Sequence, residues 1–155
     1  MDIIEKAILF AKKEYEKNDS FHQWTHVENV MKRALEIANK LKNVDFELLK
    51  LGVIFHDIDY NSEKTYKENY KNHVENSIKK AEEFLKKNNY PNERIIKIKQ
   101  IMLDHSTTYR RKLGDSKIKE GKILYDADKS IFLTTSEKYE KYFPLLYFDE
   151  TKEMV

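Results

Sequence analysis

The chain of 155 residues contains no cysteine and only 3 glycines and 2 prolines. The absence of cysteine excludes disulfides and thiolate metal sites. Any metal ion must therefore be bound by histidine or carboxylate side chains, and such ligands suit a divalent ion such as Mn, Fe, Co, Mg or Zn. The scarcity of glycine and proline argues against the many tight turns of an all-β protein and favours helices.

A long apolar segment and an excess of charge of one sign are also missing. No stretch approaches roughly 18 uncharged apolar residues. The first residues, MDIIEKAILFAKKEYEK, carry an acid at position 2 and several lysines, unlike a signal peptide. We therefore expect a cytoplasmic protein that does not span a membrane. With 29 Lys+Arg against 27 Asp+Glu, the composition indicates no nucleic-acid partner.

Apolar residues recur at helical spacing along most of the chain, which predicts an all-α bundle of about six helices. One stretch, Phe46 to Ile58, is apolar almost all round, which is typical of a central helix. Polar stretches at 59–72 and 105–121 are expected to be functional loops. The remaining predicted helices are Asp2 to about Lys17, Thr25 to Leu41, Val74 to Leu85, Ile95 to Met102 and Ile123 to Ile131.

We expect one domain over residues 1–155, with a motif-bearing core at about 20–130 and an aromatic-rich C-terminal segment at 136–155. Within this segment, the run from Tyr139 to Phe148 is rich in aromatic residues and leucines. It is expected to pack either on the body of the protein or on a partner, including a second copy of the chain.

Histidines and one His-Asp pair fall at the predicted helix ends. A single histidine is more typical of a partly buried, hydrogen-bonded side chain than of a metal ligand. His56 and Asp57, however, end the most apolar helix, where an unpaired carboxylate is costly, so this pair predicts a bound cation. His26 lies at the edge of an apolar stripe and is expected to face inward. The five histidines are His22, His26, His56, His73 and His105.

Asp126 and Asp128 compete for one further ligand position in the segment LYDADKS. At roughly 100° per residue, Asp128 lies within the apolar face formed by Leu124, Ile131 and Phe132, whereas Asp126 points away from it. Asp128 is therefore predicted to face inward, and Asp126 either to face solvent or to lie behind the ligands. Two imidazoles and two carboxylates from different helices can form a metal site with room for water.

The ordered set His26, His56-Asp57 and Asp128 resembles the H…HD…D pattern of the HD-domain metal-dependent phosphohydrolases. The segments FHQWTHVENVMKRALEIA, LLKLGVIFHDID, IKQIMLDHSTT and KILYDADK also look like the corresponding blocks of small stand-alone HD hydrolases. The resemblance implies an all-α bundle with a divalent metal ion in a central cleft. It implies hydrolysis of a phosphorylated substrate, for which Asp57 is the ligand best placed to act also as proton acceptor.

Some branches of this family bind a second metal ion through two further histidines, and His73 and His105 are the candidates here. His105 shares the apolar face of its helix with Ile98 and Met102. His73 opens the fourth predicted helix, where a histidine can simply be exposed. One or two ions per chain are therefore expected, because a mononuclear site with His105 as a hydrogen-bond donor to the substrate stays open.

Three cations are candidates to bind substrate phosphate: Arg110 and Arg111 follow His105, and Lys129 adjoins Asp128. Trp24 is expected either to stack on a base or to pack in the interior. His22 is interpreted as structural support. Lys64 and Lys67, after the HD pair, lie where a loop could cover the substrate.

The segment after the HD pair reads IDYNSE, without the ED doublet of alarmone hydrolases, and no GYP element of cyclic-dinucleotide hydrolases is present. We expect a small phosphorylated metabolite as substrate, with a nucleotide as the leading candidate. The alternative is a non-catalytic, metal-stabilised module that associates through its aromatic C-terminal segment.

Overall fold

The computed structural model describes the backbone of residues 1–60 and 66–155 and the side chains of residues 1–60 and 72–155. The all-α prediction is confirmed, because the regular elements of these residues are nine α-helices and one 3₁₀ turn at Phe143–Leu145. Six of the helices have ten or more residues. The helices are α1 (Ile3–Tyr15), α2 (Trp24–Ala38), α3 (Phe46–Phe55), α4 (Tyr66–Lys87), α5 (Asn92–Asp104), α6 (Thr107–Leu113), α7 (Lys119–Ser130), α8 (Ser136–Tyr142) and α9 (Asp149–Lys152).

Side chains at the helix starts explain where several helices begin. At α1, the Asp2 side chain accepts a hydrogen bond from the Glu5 backbone N–H (2.8 Å), and the Glu5 side chain accepts one from the Asp2 N–H (3.3 Å). This reciprocal capping box satisfies two backbone donors that lack intrahelical partners. Asp45 caps α3 by accepting a hydrogen bond from the Leu48 N–H (3.1 Å). These local signals place both starts within a residue of the prediction.

Helix α3 lies in the middle of the bundle, as its continuous apolar sequence predicted. Nearly all of it is buried, from Leu48 to Phe55, and it packs against α1, α2, α4, α5 and α7. At Gly52 a Cβ atom would lie 2.5 Å from Cγ2 of Ile101. The missing side chain therefore allows α3 and α5 to approach closely, which brings their C-terminal ends together.

The two polar stretches contain more helix than their sequence indicated. Helix α6 lies inside the stretch 105–121; its N-cap Ser106 accepts a hydrogen bond from the Tyr109 N–H, and Gly114, with φ of 87°, ends it in a conformation that favours glycine. Helix α4 begins at Tyr66, inside the other stretch. His73 consequently lies about two turns inside α4, so the prediction that it opens this helix is wrong.

In the part of the chain that the structure describes, no helix combines the length and the apolar character needed to cross a membrane. The side chains of Lys64 and Lys67 lie outside the described residues.

Candidate metal centre

The ends of three core helices meet at one buried point. His26 comes from the first turn of α2, His56 and Asp57 directly follow α3, and Asp128 lies in the last turn of α7. Each offers a ligand atom within 4.8 Å of the others, and all four side chains are buried. Nε2 of His26 lies 3.3 Å from Oδ1 of Asp128, and Nε2 of His56 lies 3.2 Å from Oδ2 of Asp57. The structure therefore brings together the four side chains selected from the sequence.

A second group of donor atoms adjoins the first and shares Asp57 with it. Nε2 of His73 lies 3.5 Å and Nε2 of His105 lies 3.4 Å from Oδ1 of Asp57. The other oxygen, Oδ2, faces Nε2 of His26 at 3.5 Å as well as His56. The Asp57 carboxylate thus lies between two pairs of imidazoles, with one oxygen toward each pair.

His56 and His105 are oriented by the same local hydrogen bond. Each is the C-cap residue of its helix, α3 or α5. Nδ1 of His56 donates to the Val53 carbonyl at 2.6 Å, and Nδ1 of His105 donates to the Met102 carbonyl. The last carbonyls of a helix lack intrahelical donors, so a histidine directly after the helix can fold back onto one. A proton on Nδ1 leaves Nε2 with the lone pair that a metal ion requires.

Burial and mutual attraction act in opposite directions on the charges of this cluster. Burial alone raises the pKa of the Asp57 carboxyl, but the charge of His56 and hydrogen bonds from His105 and His26 outweigh it, so that this pKa lies well below its usual range. Burial alone lowers the pKa of His26, but Asp128 and Asp57 outweigh it and raise that pKa to about 10. Without a metal ion, imidazolium–carboxylate pairs therefore compensate the buried charges.

The same donors fit a divalent cation once it replaces the imidazole protons. The set consists of neutral imidazole nitrogens and ionised carboxylate oxygens without thiolate, which suits hard and borderline ions. The burial of the carboxylates agrees with this assignment, because two adjacent buried acids require a positive partner. His26, His56, Asp57 and Asp128 form one candidate ligand group, and Asp57, His73 and His105 form the other.

The cluster opens into a polar cleft of about 610 Å³, to which Asp57, His105 and Asp128 contribute. Among the described residues, its lining includes three cations, and two of them, Arg111 and Lys129, were predicted from the sequence. Nζ of Lys129 lies 3.1 Å from Oδ2 of Asp128. Burial alone lowers the Lys129 pKa, but Asp128 outweighs it and raises that pKa, so the ammonium stays charged.

The third cation in the cleft, Lys141 of α8, was not predicted from the sequence. It is one of many lysines in the chain, and it comes from the C-terminal segment, whose docking position the local sequence does not determine. Tyr142 of the same helix also lines the cleft. The C-terminal segment therefore forms one wall of the cleft.

Arg110 is the one predicted phosphate contact that the structure does not bring into the cleft. Its guanidinium lies 4.8 Å from the ring centroid of Tyr125 and 4.1 Å from that of Tyr147. It donates hydrogen bonds to the Leu145 carbonyl (2.6 Å) and to Asp115 (3.0 Å). These contacts tie the C-terminal segment to α6 and α7, which is a structural role.

Asp126 is fully buried, so the alternative that it faces solvent is wrong. Its Oδ1 accepts a hydrogen bond from the Tyr147 N–H (2.8 Å), and its Oδ2 accepts from the Phe148 N–H (3.0 Å) and from the Thr151 hydroxyl (2.6 Å). The periodicity correctly directs Asp126 away from the metal cluster. The face of α7 on which it lies is covered by the C-terminal segment, whose docking the helical pattern does not reveal.

The aromatic C-terminal run packs on the body of the protein, one of the two alternatives left open by the sequence. Leu146 is buried, the ring of Tyr147 meets Tyr125 edge-on with centroids 5.3 Å apart, and Phe148 packs against the core. Tyr139 remains exposed and stacks on Phe143. The inner part of the run is therefore already covered within the chain.

His22 and Trp24 have different surroundings. The His22 ring stacks on Tyr60, with centroids 3.6 Å apart, and its Nδ1 lies 2.7 Å from Oδ1 of Asp19, at the edge of the cleft. Trp24 packs edge-on against Tyr15 and against the core. Its position agrees with the interior-packing alternative.

A buried His/Asp cluster at helix ends, open to a cationic cleft in an all-α bundle, defines a metal-dependent phosphohydrolase site. The family model of the HD domain matches residues 24–131, well over half of the chain. The chain therefore belongs to the HD domain family, with the His/Asp cluster of its metal-dependent phosphohydrolases present. The family implies a divalent metal ion and a phosphorylated substrate. Comparisons with curated proteins and with solved structures found no match.

Proposed function

We propose that the protein hydrolyses a phosphoester or phosphoanhydride bond of a small phosphorylated metabolite, and that this metabolite is a nucleotide. The observation that carries the proposal is the convergence of the His/Asp cluster with Arg111, Lys129 and Lys141 on one cleft. A volume of about 610 Å³ is in the usual range for small-molecule sites. The cations supply what a phosphate group needs beyond the metal ligands.

We propose further that the site is dinuclear. Asp57 supports this count, because its two oxygens face different pairs of histidines. His26, His56 and Asp128 would hold one ion together with Asp57, and His73 and His105 would complete the second position. Divalent ions in such a site lower the pKa of water and neutralise charge on phosphoryl oxygens.

The protein's own residues would bind and orient the substrate around this cluster. Asp57 faces both candidate ligand groups, so we assign it ligation of both ions, and the additional role of proton acceptor that the resemblance implies stays a prediction. Lys129, charged and 3.1 Å from Asp128, would contact the reacting phosphoryl group. Arg111 would bind the phosphate oxygens that do not react. Within the part of the chain whose side chains are described, Arg111 has no hydrogen-bond or ion-pair partner.

Elemental analysis of protein purified without chelator tests the metal count. We expect two ions per chain in the wild type and about one in His73→Ala and in His105→Ala. His22→Ala is the matched control, because His22 lies beside the cleft and belongs to neither ligand group. A reproducible content of one ion per chain that is unchanged in His73→Ala would contradict the dinuclear proposal.

Phosphate release tests the reaction. Metal-loaded protein is assayed with nucleoside mono- and triphosphates, dinucleoside polyphosphates and simple phosphoesters in the presence of Mn, Co, Fe or Mg. We expect turnover of at least one nucleotide and its loss in His56→Ala. No turnover under any metal condition, from protein shown to contain metal, would overturn the proposed reaction.

A further inference from the structure

A second cleft, of about 450 Å³, borders the His/Asp cluster at His26. His26 and Phe132 both line it, and Phe132 also lines the first cleft, so this ring lies between the two. The ring centroids of His26 and Phe132 are 5.5 Å apart. The two clefts therefore adjoin at Phe132.

Phe21, which lines the second cleft, is an exposed aromatic side chain on a loop that hydrogen bonds hold in place. Phe21 is 78% exposed, an unusual state for a phenylalanine. Oδ1 of Asp19 accepts hydrogen bonds from the backbone N–H groups of Phe21 and His22, both at 3.0 Å. Asn18 donates to the Asp57 carbonyl (2.9 Å) and accepts from the Tyr60 N–H (2.9 Å). The loop is thereby fixed to the same segment that supplies Asp57.

The charged groups of the two clefts have different partners. In the first, the acids among the described lining residues are Asp57 and Asp128, both in the candidate metal groups, and of its three cations Lys129 pairs with one of them, at 3.1 Å from Asp128. In the second, Nε of Arg33 lies 3.9 Å from Oε2 of Glu36, and its guanidinium also donates to Ser130. Lys32 lines the second cleft as well, and it is the exposed rings of Phe21 and Phe132 that suit this cleft to a planar group.

We propose that the second cleft binds the planar aromatic part of the substrate, a nucleobase or a ring of that class, while its phosphate occupies the first cleft. Phe21 and Phe132 supply stacking surfaces, and Thr25 and Asn29 supply hydrogen-bonding groups for the edge of the ring. The assignment rests on the proposed function, because it concerns the substrate of the same His/Asp cluster. It makes Phe21 a residue that determines specificity, outside the matched family segment 24–131.

Equilibrium binding to the metal-loaded full chain tests this assignment independently of turnover. The probes are hydrolysis-resistant phosphonate analogues of the common nucleoside monophosphates and the corresponding analogue of ribose 5-phosphate, which lacks the base. Phe21→Ala should weaken binding of at least one nucleoside analogue by about tenfold, the order found for a lost base–aromatic stacking contact. It should weaken binding of the ribose analogue much less, and Phe21→Trp should restore the affinity for the nucleoside analogue.

Two further variants distinguish stacking on Phe21 from the loss of an exposed ring elsewhere and from base binding in the first cleft. Phe46→Ala removes another exposed phenylalanine, far along the chain at the start of α3, and should leave both affinities unchanged. Tyr142→Ala alters the first cleft. Loss of nucleoside affinity in Tyr142→Ala with none in Phe21→Ala would overturn the assignment, and so would equal affinity of the wild type for nucleoside and ribose analogues. Absence of phosphate release with the expected binding pattern would count against the proposed reaction alone.

Discussion

Two buried aspartates of α7, Asp126 and Asp128, show how the same side chain serves two faces of one helix. They are two residues apart, so they point in directions about 160° apart around the helix. Asp128 faces the histidines and Lys129, while Asp126 accepts hydrogen bonds from the backbone of the C-terminal segment. Both are buried, and only the partner distinguishes a candidate metal ligand from a structural anchor.

The pKa values of the two carboxyl groups move in opposite directions because their neighbours differ. Burial raises both, but at Asp128 the charges of Lys129 and the imidazoles outweigh burial and lower the pKa. At Asp126 burial outweighs the hydrogen bonds from Thr151 and the backbone and leaves the pKa raised. A buried carboxyl whose neighbours are cations is therefore a stronger indication of a metal site than burial alone.

Chelation should separate the two aspartates most strongly, because it removes a metal partner of Asp128 and leaves the partners of Asp126 in place. We expect treatment with EDTA to abolish phosphate release while the helical circular dichroism signal is retained. The fold survives because imidazolium–carboxylate pairs compensate the buried charges and because α3 lies in an apolar core. Loss of the helical signal on chelation would instead favour a metal-stabilised association module. Restoring activity with the original metal is the control.

Asp128→Asn tests the inward face of α7 alone. Loss of a ligand should reduce phosphate release by at least about a hundredfold, beyond the effect of mutating groups that merely orient ligands. Elemental analysis should show a reduced metal content. The melting temperature should change less than in Asp126→Asn. Wild-type metal content together with wild-type turnover would remove Asp128 from the ligand set.

Asp126→Asn tests the outward face. An amide group would place its N–H₂ against backbone N–H or hydroxyl donors that now meet a carboxylate oxygen, so we expect a loss of about 2 kcal/mol in the free energy of unfolding. Chemical denaturation measures this loss, and limited proteolysis should cut the C-terminal segment faster. Metal content should stay at the wild-type value. A variant as stable as the wild type would contradict the anchoring role.

Arg110 and Arg111, adjacent in α6, allow the same comparison on a smaller scale. Arg110 contacts Tyr125 and Tyr147, whereas Arg111 lines the cleft. Arg110→Ala should lower the free energy of unfolding by about 1 kcal/mol, as its contacts with Tyr125 and Tyr147 are lost. Arg111→Ala should leave stability within about 0.5 kcal/mol and raise KM. Denaturation curves and steady-state kinetics of both variants check the pair. The reverse pattern would exchange the two roles.

Local sequence signals predicted the parts of the fold that depend on one helix at a time. The apolar run of α3, the ordered ligand pattern and the inward direction of Asp128 all follow from periodicity and residue type. The sequence could not predict the roles of Asp126, Lys141 and Phe21, because these roles depend on how the C-terminal segment and the 18–23 loop dock against distant residues. The identity of the metal and a cytoplasmic location stay predictions.

The distribution of the candidate ligands along the chain has a consequence for folding kinetics. They extend from residue 26 in α2 to residue 128 in α7, and they meet only where the ends of α2, α3, α5 and α7 and the interior of α4 converge. A metal ion can therefore gain its full set of bonds only after these helices have docked. Added metal should slow unfolding far more than it speeds refolding, since contacts formed late stabilise the native state and leave the transition state unchanged.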